Sequence, residues 1–152
     1  LLSIEELKLS SDSVIAGIGN PHKGDDKAGC YVADRLIEHG LSRVVNCETV
    51  PENYLEKISS MRPDIVLLVD AAKSGKAAGT VGIYRAHEIS AGVTTHTAGL
   101  DMAMDYIEMS CGAAVFFAGI ASKKSDGDMG PEVRKACDML VEKIRRRLCM
   151  SR

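Results

Sequence analysis

At 152 residues the chain has room for one ordinary domain with its own hydrophobic core. Apolar residues make up 45% and charged residues 26%, which argues against disorder, and a net charge of −2 gives no general pull toward nucleic acid or an anionic membrane. Five cysteines without a CxxC pair argue against a disulfide framework or a zinc ribbon and suit a reducing compartment, and no apolar stretch approaches the roughly 18 residues needed to span a bilayer.

The N-terminal stretch Leu1-Leu2-Ser3-Ile4-Glu5-Glu6 carries acids where a signal peptide carries positive charge, so a soluble cytoplasmic protein is expected. A short helix is predicted over 4–9 and a buried, glycine-terminated strand over 13–19. From 28 to 39 Ala28, Val32, Leu36, Ala33 and Ile37 recur at helical spacing, closed by Gly40. A second strand over 44–49 precedes a helix over 52–61, which Pro63 stops. Ile65-Val66-Leu67-Leu68-Val69 is an unbroken apolar run, the mark of a strand covered on both faces, with Asp70 at its end. A small-residue loop over 73–79 leads to an alternating strand over 80–85. Leu100, Ala103, Met104 and Ile107 share one face of a helix, residues 113–120 form another buried strand, and a last helix spans 131–148. Arg145-Arg146-Arg147 near its end complements the helix dipole.

Strands alternating with helices predict an α/β fold: a single three-layer αβα sandwich, one domain over 1–152, around a largely parallel, roughly five-stranded twisted sheet. In such sheets the working crevice lies beyond the carboxyl ends of strands, where Asp25, Asp26 and Asp70 fall.

The loop Gly17-Ile18-Gly19-Asn20-Pro21-His22-Lys23-Gly24 is no nucleotide fingerprint. His22 stands where a dinucleotide motif needs its third glycine, and Asp25-Asp26 replaces the Lys-Ser/Thr of a phosphate loop. Two carboxylates there repel phosphate but suit a divalent cation. Helix capping, a matter of roughly 0.3–1 kcal/mol, accounts for one Asp well and a pair less well. His96, in Thr94-Thr95-His96-Thr97, lies just before a predicted helix that Thr97 is placed to cap. Taken together, Asp26, Asp70 and His96 make an Asp/Asp/His set with open positions, better suited to zinc or nickel than to magnesium. His22 is the competing ligand, whereas His39 and His87 read as surface residues. The absence of a Gly-x-Ser-x-Gly elbow and of a base paired with any cysteine disfavours covalent catalysis.

These segments resemble the maturation endopeptidases of [NiFe] hydrogenases. The matching motifs are Gly17-Ile18-Gly19-Asn20 through Asp25-Asp26, Thr49-Val50-Pro51-Glu52-Asn53, Val69-Asp70-Ala71 with Gly79-Thr80-Val81, and Thr94-Thr95-His96. The similarity runs in order from about residue 13 to 147. It implies an αβα sandwich that acts as an endopeptidase of aspartic or metal-dependent type. Such an enzyme removes the C-terminal extension of a hydrogenase large-subunit precursor once nickel has been inserted. The resemblance carries metal contact to Asp26, Asp70 and His96, with nickel supplied by the substrate, and zinc or another divalent cation as a further option. Asp25 is a candidate for orienting a ligand or taking a proton. The chain departs from the family pattern at Lys27, where glycine is usual after the acidic pair, and follows it loosely over 121–128. If that glycine supplies a special backbone angle, lysine there strains the loop. A monomer without nucleic-acid or membrane partners is expected. Two other classes stay open: a non-proteolytic nickel-site sensor or chaperone, and a small-molecule metallohydrolase.

Overall fold

The computed structural model describes residues 2–95 and 97–150. Five main strands form one sheet: β1 (Val14–Ile18), β2 (Val44–Glu48), β3 (Ile65–Lys73), β4 (Val81–Tyr84) and β6 (Ala114–Ala121), in the order β2-β1-β3-β6-β4. The pairs β1·β2, β1·β3 and β3·β6 are parallel, and β4 runs antiparallel to β6. A two-residue strand, β5 (Thr94–Thr95), adds antiparallel to the end of β3. The helices are α1 (Ala28–Glu38), α2 (Leu55–Ser60), α3 (Ala86–Ser90), α4 (Leu100–Cys111) and α5 (Pro131–Met150). None of the described helices is long and apolar enough to cross a membrane.

Alternation along the strands divides the core in two. Ile15, Leu67, Val69, Ala118 and Ile120 pack with Val32 and Leu36 of α1 and Val133, Leu140 and Ile144 of α5. Val14, Ala16, Val66, Leu68 and Phe117 pack on the other face with Ile58 of α2 and Leu100, Met104 and Ile107 of α4. Apolar side chains buried on both faces explain why β1, β3 and β6 read as continuous hydrophobic runs. The expected three-layer α/β sandwich is therefore the observed one.

The first turn of α1 lies almost on the sheet. A Cβ at Gly17 would run into the carbonyl oxygen of Gly29, and one at Gly29 into those of Ile18 and Val69. Two glycines facing each other bring the start of α1 over the ends of β1 and β3, where the chain order of the strands reverses direction. That reversal opens a crevice.

Several elements differ from expectation. The leading helix is only a 3₁₀ turn, Ile4–Glu6, and the segment 52–61 divides into a 3₁₀ turn, Pro51–Tyr54, followed by α2. Strand β3 runs to Lys73, past Asp70, because Asp70–Ala72 keep pairing with Gly119–Ala121 and Ala72 and Lys73 take up β5. Asp70 thus sits within the strand rather than just beyond it.

Candidate functional site

Strand β1 ends at a close crossing. Gly19 donates its N–H to the Glu48 carbonyl (2.8 Å), and a Cβ at Gly19 would collide with the Asp26 carbonyl oxygen. The loop then folds back on itself. Asn20 donates its N–H to that same Asp26 oxygen (2.9 Å), Asp26 donates its own to the Lys23 carbonyl (2.8 Å), and Asn20 Oδ1 accepts from His22 N–H (2.9 Å). The acidic pair lies in a 3₁₀ turn, Gly24–Lys27, that leads into α1. Lys27 has φ −84° and ψ 0°, an ordinary conformation for a residue with a side chain, so replacing glycine there strains no backbone angle.

Asp26 and Asp70 come together in a cleft of about 420 Å³. Gly19, Asn20, Lys23 and Asp26 form one wall, Asp70, Thr97 and Ala98 another, and Thr49 and Glu52 a third. Asp70 is 1% exposed; its Oδ1 accepts from the Ala71 N–H (2.8 Å) and its Oδ2 from the Thr97 hydroxyl (3.0 Å). Burial pushes this carboxyl from 3.8 up to about 8; the Thr97 and Ala71 hydrogen bonds oppose the rise, and the charge of Asp26 adds to it. Such a group at neutral pH calls for a proton or for a cation beside it.

His96 lies outside the described residues. Its neighbour Thr97 is tied to the site, both through Asp70 and through a turn in which Thr97 N–H donates to Thr95 Oγ1 (3.1 Å). The expectation that Thr97 caps α4 is corrected here. The residue flanking that helix is Gly99, in the left-handed region at φ 73°, and the Thr97 hydroxyl is engaged by Asp70 instead.

Asp25 is not a cleft residue. It is 1% exposed, and its carboxylate accepts the backbone N–H groups of Lys123, Lys124 and Gly130 at 3.1, 2.9 and 2.8 Å. His22, His39 and His87 are all exposed, and none lines the cleft. Cys30 is buried beneath the loop, its thiol donating to the Gly19 carbonyl (3.3 Å), and burial pushes it up to about 12, which leaves no thiolate for chemistry. Among the described residues, no three His, Cys, Asp or Glu side chains converge to hold a metal ion. The donor chemistry of the two carboxylates fits a divalent cation, but they need further ligands from the β5–α4 loop or from a partner.

Sequence reasoning did not single out Lys23, Thr49, Glu52 or Thr97 as part of a site. Thr49 and Glu52 follow β2, whose end lies beside that of β1, so their nearness to Asp26 becomes visible only with strand order.

Comparison with known proteins agrees with this geometry. The family model for hydrogenase maturation protease (HycI) matches residues 30–147. A provisionally named hydrogenase maturation protease of Methanocaldococcus jannaschii is 30% identical over 153 residues, spanning 93% of this chain and 90% of its own length. The hydrogenase 3 maturation protease of Escherichia coli K12 is 30% identical over 68% of this chain and 69% of its own. Among solved structures, the [NiFe] hydrogenase maturation protease HycI of Thermococcus kodakarensis superposes with a TM-score of 0.83 at 30% identity, covering 91% of this chain and 93% of that one. The solution structure of the Escherichia coli endopeptidase HycI gives 0.81 at 26% identity, over 88% and 89% of the two chains. Strand order, crevice and sequence match thus converge, and the chain belongs to the hydrogenase maturation protease family of endopeptidase hydrolases.

Proposed function

We propose that this protein is a metal-dependent endopeptidase that removes the C-terminal extension of a [NiFe]-hydrogenase large-subunit precursor after nickel insertion. The observation that carries the reading is the pairing of two carboxylates from separate strands, Asp26 after β1 and Asp70 within β3, in one cleft beside the β5–α4 loop. The burial that raises Asp70 to about 8 makes the cleft receptive to a positive charge.

In this reading Asp26, Asp70 and His96 engage nickel that the precursor brings, so nickel is part of the substrate rather than a resident cofactor. Zinc or another divalent cation suits the same donors. A cation held there polarises the scissile carbonyl or lowers the pKa of a water toward neutrality. The chain's own residues do the rest. Thr97 and the Ala71 N–H fix both oxygens of Asp70, while Asn20 and Lys23 fix the backbone of Asp26, so the Asp70 carboxyl and the Asp26 backbone are held in place before the peptide arrives. Lys23, Thr49 and Glu52 border the cleft and offer polar contacts to an extended tail. Dependence on nickel carried by the precursor explains how cleavage waits for metal insertion. The enzyme is read as a cytoplasmic monomer.

A second reading rests on the same raised carboxyl. A carboxyl raised by burial, Asp70, beside a second carboxyl, Asp26, is the arrangement of an aspartic-type hydrolase, in which one carboxyl donates a proton and the other activates water. One experiment separates the two. Nickel-loaded and nickel-free precursors are incubated with wild type, Asp26→Ala and His96→Ala, and release of the C-terminal peptide is followed by mass spectrometry. Release only from the nickel-loaded precursor, lost in both variants, supports the metal-dependent enzyme. Release from both precursors that survives His96→Ala supports the aspartic type. Binding without release identifies a sensor, and indifference to the precursor points to a small-molecule hydrolase.

A further inference from the structure

Asp25 and Asp26 are adjacent and chemically identical, yet only Asp26 borders the cleft. The Asp25 carboxylate is buried against the segment after β6, where Oδ2 accepts the N–H groups of Lys123 and Lys124 and Oδ1 that of Gly130. Gly130 directly precedes α5, a helix of 20 residues, so the carboxylate lies at the positive end of the longest helix dipole in the fold. Two backbone bonds close the same seam: Asp25 N–H donates to the Lys124 carbonyl (2.8 Å) and Gly24 N–H to that of Gly127 (3.0 Å). The fit admits no side chain at Gly24, where φ is +50° and a Cβ would lie 2.8 Å from the nitrogen and oxygen of Asp126 and from the Lys124 oxygen.

On the cleft side, the bonds of Asn20 to the Asp26 carbonyl and of Asp26 to the Lys23 carbonyl hold the other end of the turn. Asp26 therefore stands between two sets of stitches, one of which is made by Asp25. We propose that Asp25 is a positioning residue: its carboxylate buckles the 123–130 segment and the start of α5 onto the Gly24–Lys27 turn and thereby fixes the backbone from which Asp26 reaches the cleft. This rests on the proposed function only in taking Asp26 as a working carboxylate. A carboxylate engaged by three backbone N–H groups outside the cleft is not placed to exchange protons with a peptide inside it.

Hydrogen exchange resolved by residue, combined with the kinetics of peptide release from nickel-loaded precursor, tests this on Asp25→Ala, Asp25→Asn and Gly24→Ala. In Asp25→Ala, exchange at Lys123, Lys124 and Gly130 rises at least about tenfold, and so does exchange at Asn20 and Asp26, while β3 and β6 keep their protection. With it kcat falls at least about tenfold and KM stays within about threefold. Gly24→Ala, which pushes the same segment away with Asp25 intact, gives the same pattern. Asp25→Asn, which keeps an acceptor oxygen, lies between. Where Asp25→Ala fails to fold, Gly24→Ala carries the full expectation and Asp25→Asn the intermediate one.

Wild-type kcat per folded Asp25→Ala molecule would overturn the proposal. So would loss of kcat with Asn20 and Asp26 as protected as in wild type, since Asp25 would then act on the chemistry itself. A wild type that releases no peptide removes the endopeptidase reading and leaves the exchange data to decide the positioning claim. Transmission of the disturbance to Asn20 and Asp26 upholds it, and confinement to 123–130 overturns it.

Discussion

Replacing Asp70 by Asn keeps the side chain's shape and the acceptor for the Ala71 N–H but removes the charge. Burial raises the Asp70 carboxyl from 3.8 to about 8, against the pull of Thr97 and Ala71 and with the help of Asp26. Between those two values the folded protein holds a proton that the unfolded chain has released, so its stability falls as pH rises through the window. At about 1.4 kcal/mol per pH unit the full loss is on the order of 5 kcal/mol, a large share of the roughly 5–15 kcal/mol that holds a domain together. Below the window both states are protonated and the contribution is nil. Asp70→Asn has no such slope. Urea denaturation of both proteins from about pH 4.5 to about pH 8 isolates the effect, because every other titrating group is shared. Wild type is expected to lose at least about 2 kcal/mol relative to the variant across that range, and added nickel or zinc to recover the loss in wild type only. Parallel stability curves for the two proteins would refute the reasoning, for then burial does not hold the proton on Asp70.

Three further outcomes follow from the geometry. Thr97→Val removes the hydroxyl that opposes the rise of Asp70, so a carbon-13 titration of that carboxyl moves higher still and stability drops by about 1–2 kcal/mol near neutral pH; an unmoved titration contradicts this. Gly17→Ala forces a Cβ into the Gly29 carbonyl and lifts α1 from the sheet, at a cost of about 3 kcal/mol or more in urea denaturation, and a loss below about 1 kcal/mol would mean the crossing is looser than described. Glu48, whose φ of 51° is costly for a residue with a Cβ, holds Gly19 through its carbonyl alone. Glu48→Gly is therefore expected to gain roughly 0.5 kcal/mol after the added entropy of the unfolded chain, and a clear loss would show that the side chain matters.

Much of the fold was legible because burial on both faces leaves a plain trace. Ile65–Val69 and Val14–Ile18 are continuous apolar runs, and α1, α4 and α5 show one apolar stripe each. Two short elements, β5 and α3, were not legible. Strand β5 has two residues and exists because β3 extends past Asp70 to receive it, while α3, with five residues, has no buried face to give it a period. Within the site, Asp26 and Asp70 share a cleft, although Asp70 lies inside β3 rather than just past its end as expected. Asp25 could not be told from Asp26, because its three partners lie about a hundred residues away in the chain, at Lys123, Lys124 and Gly130. Thr97 read as a helix cap, and its bond to Asp70 became visible only once the packed structure brought the β5–α4 loop against β3.

The most direct measurement is anomalous diffraction at the nickel edge from crystals of the protein bound to nickel-loaded precursor, in a complex trapped with a non-cleavable tail. The expected result is one nickel peak within about 2.0–2.6 Å of a carboxylate oxygen of Asp26, a carboxylate oxygen of Asp70 and a ring nitrogen of His96. A nickel ion seated away from the cleft, or one held by the precursor with neither carboxylate in reach, would contradict the proposed chemistry.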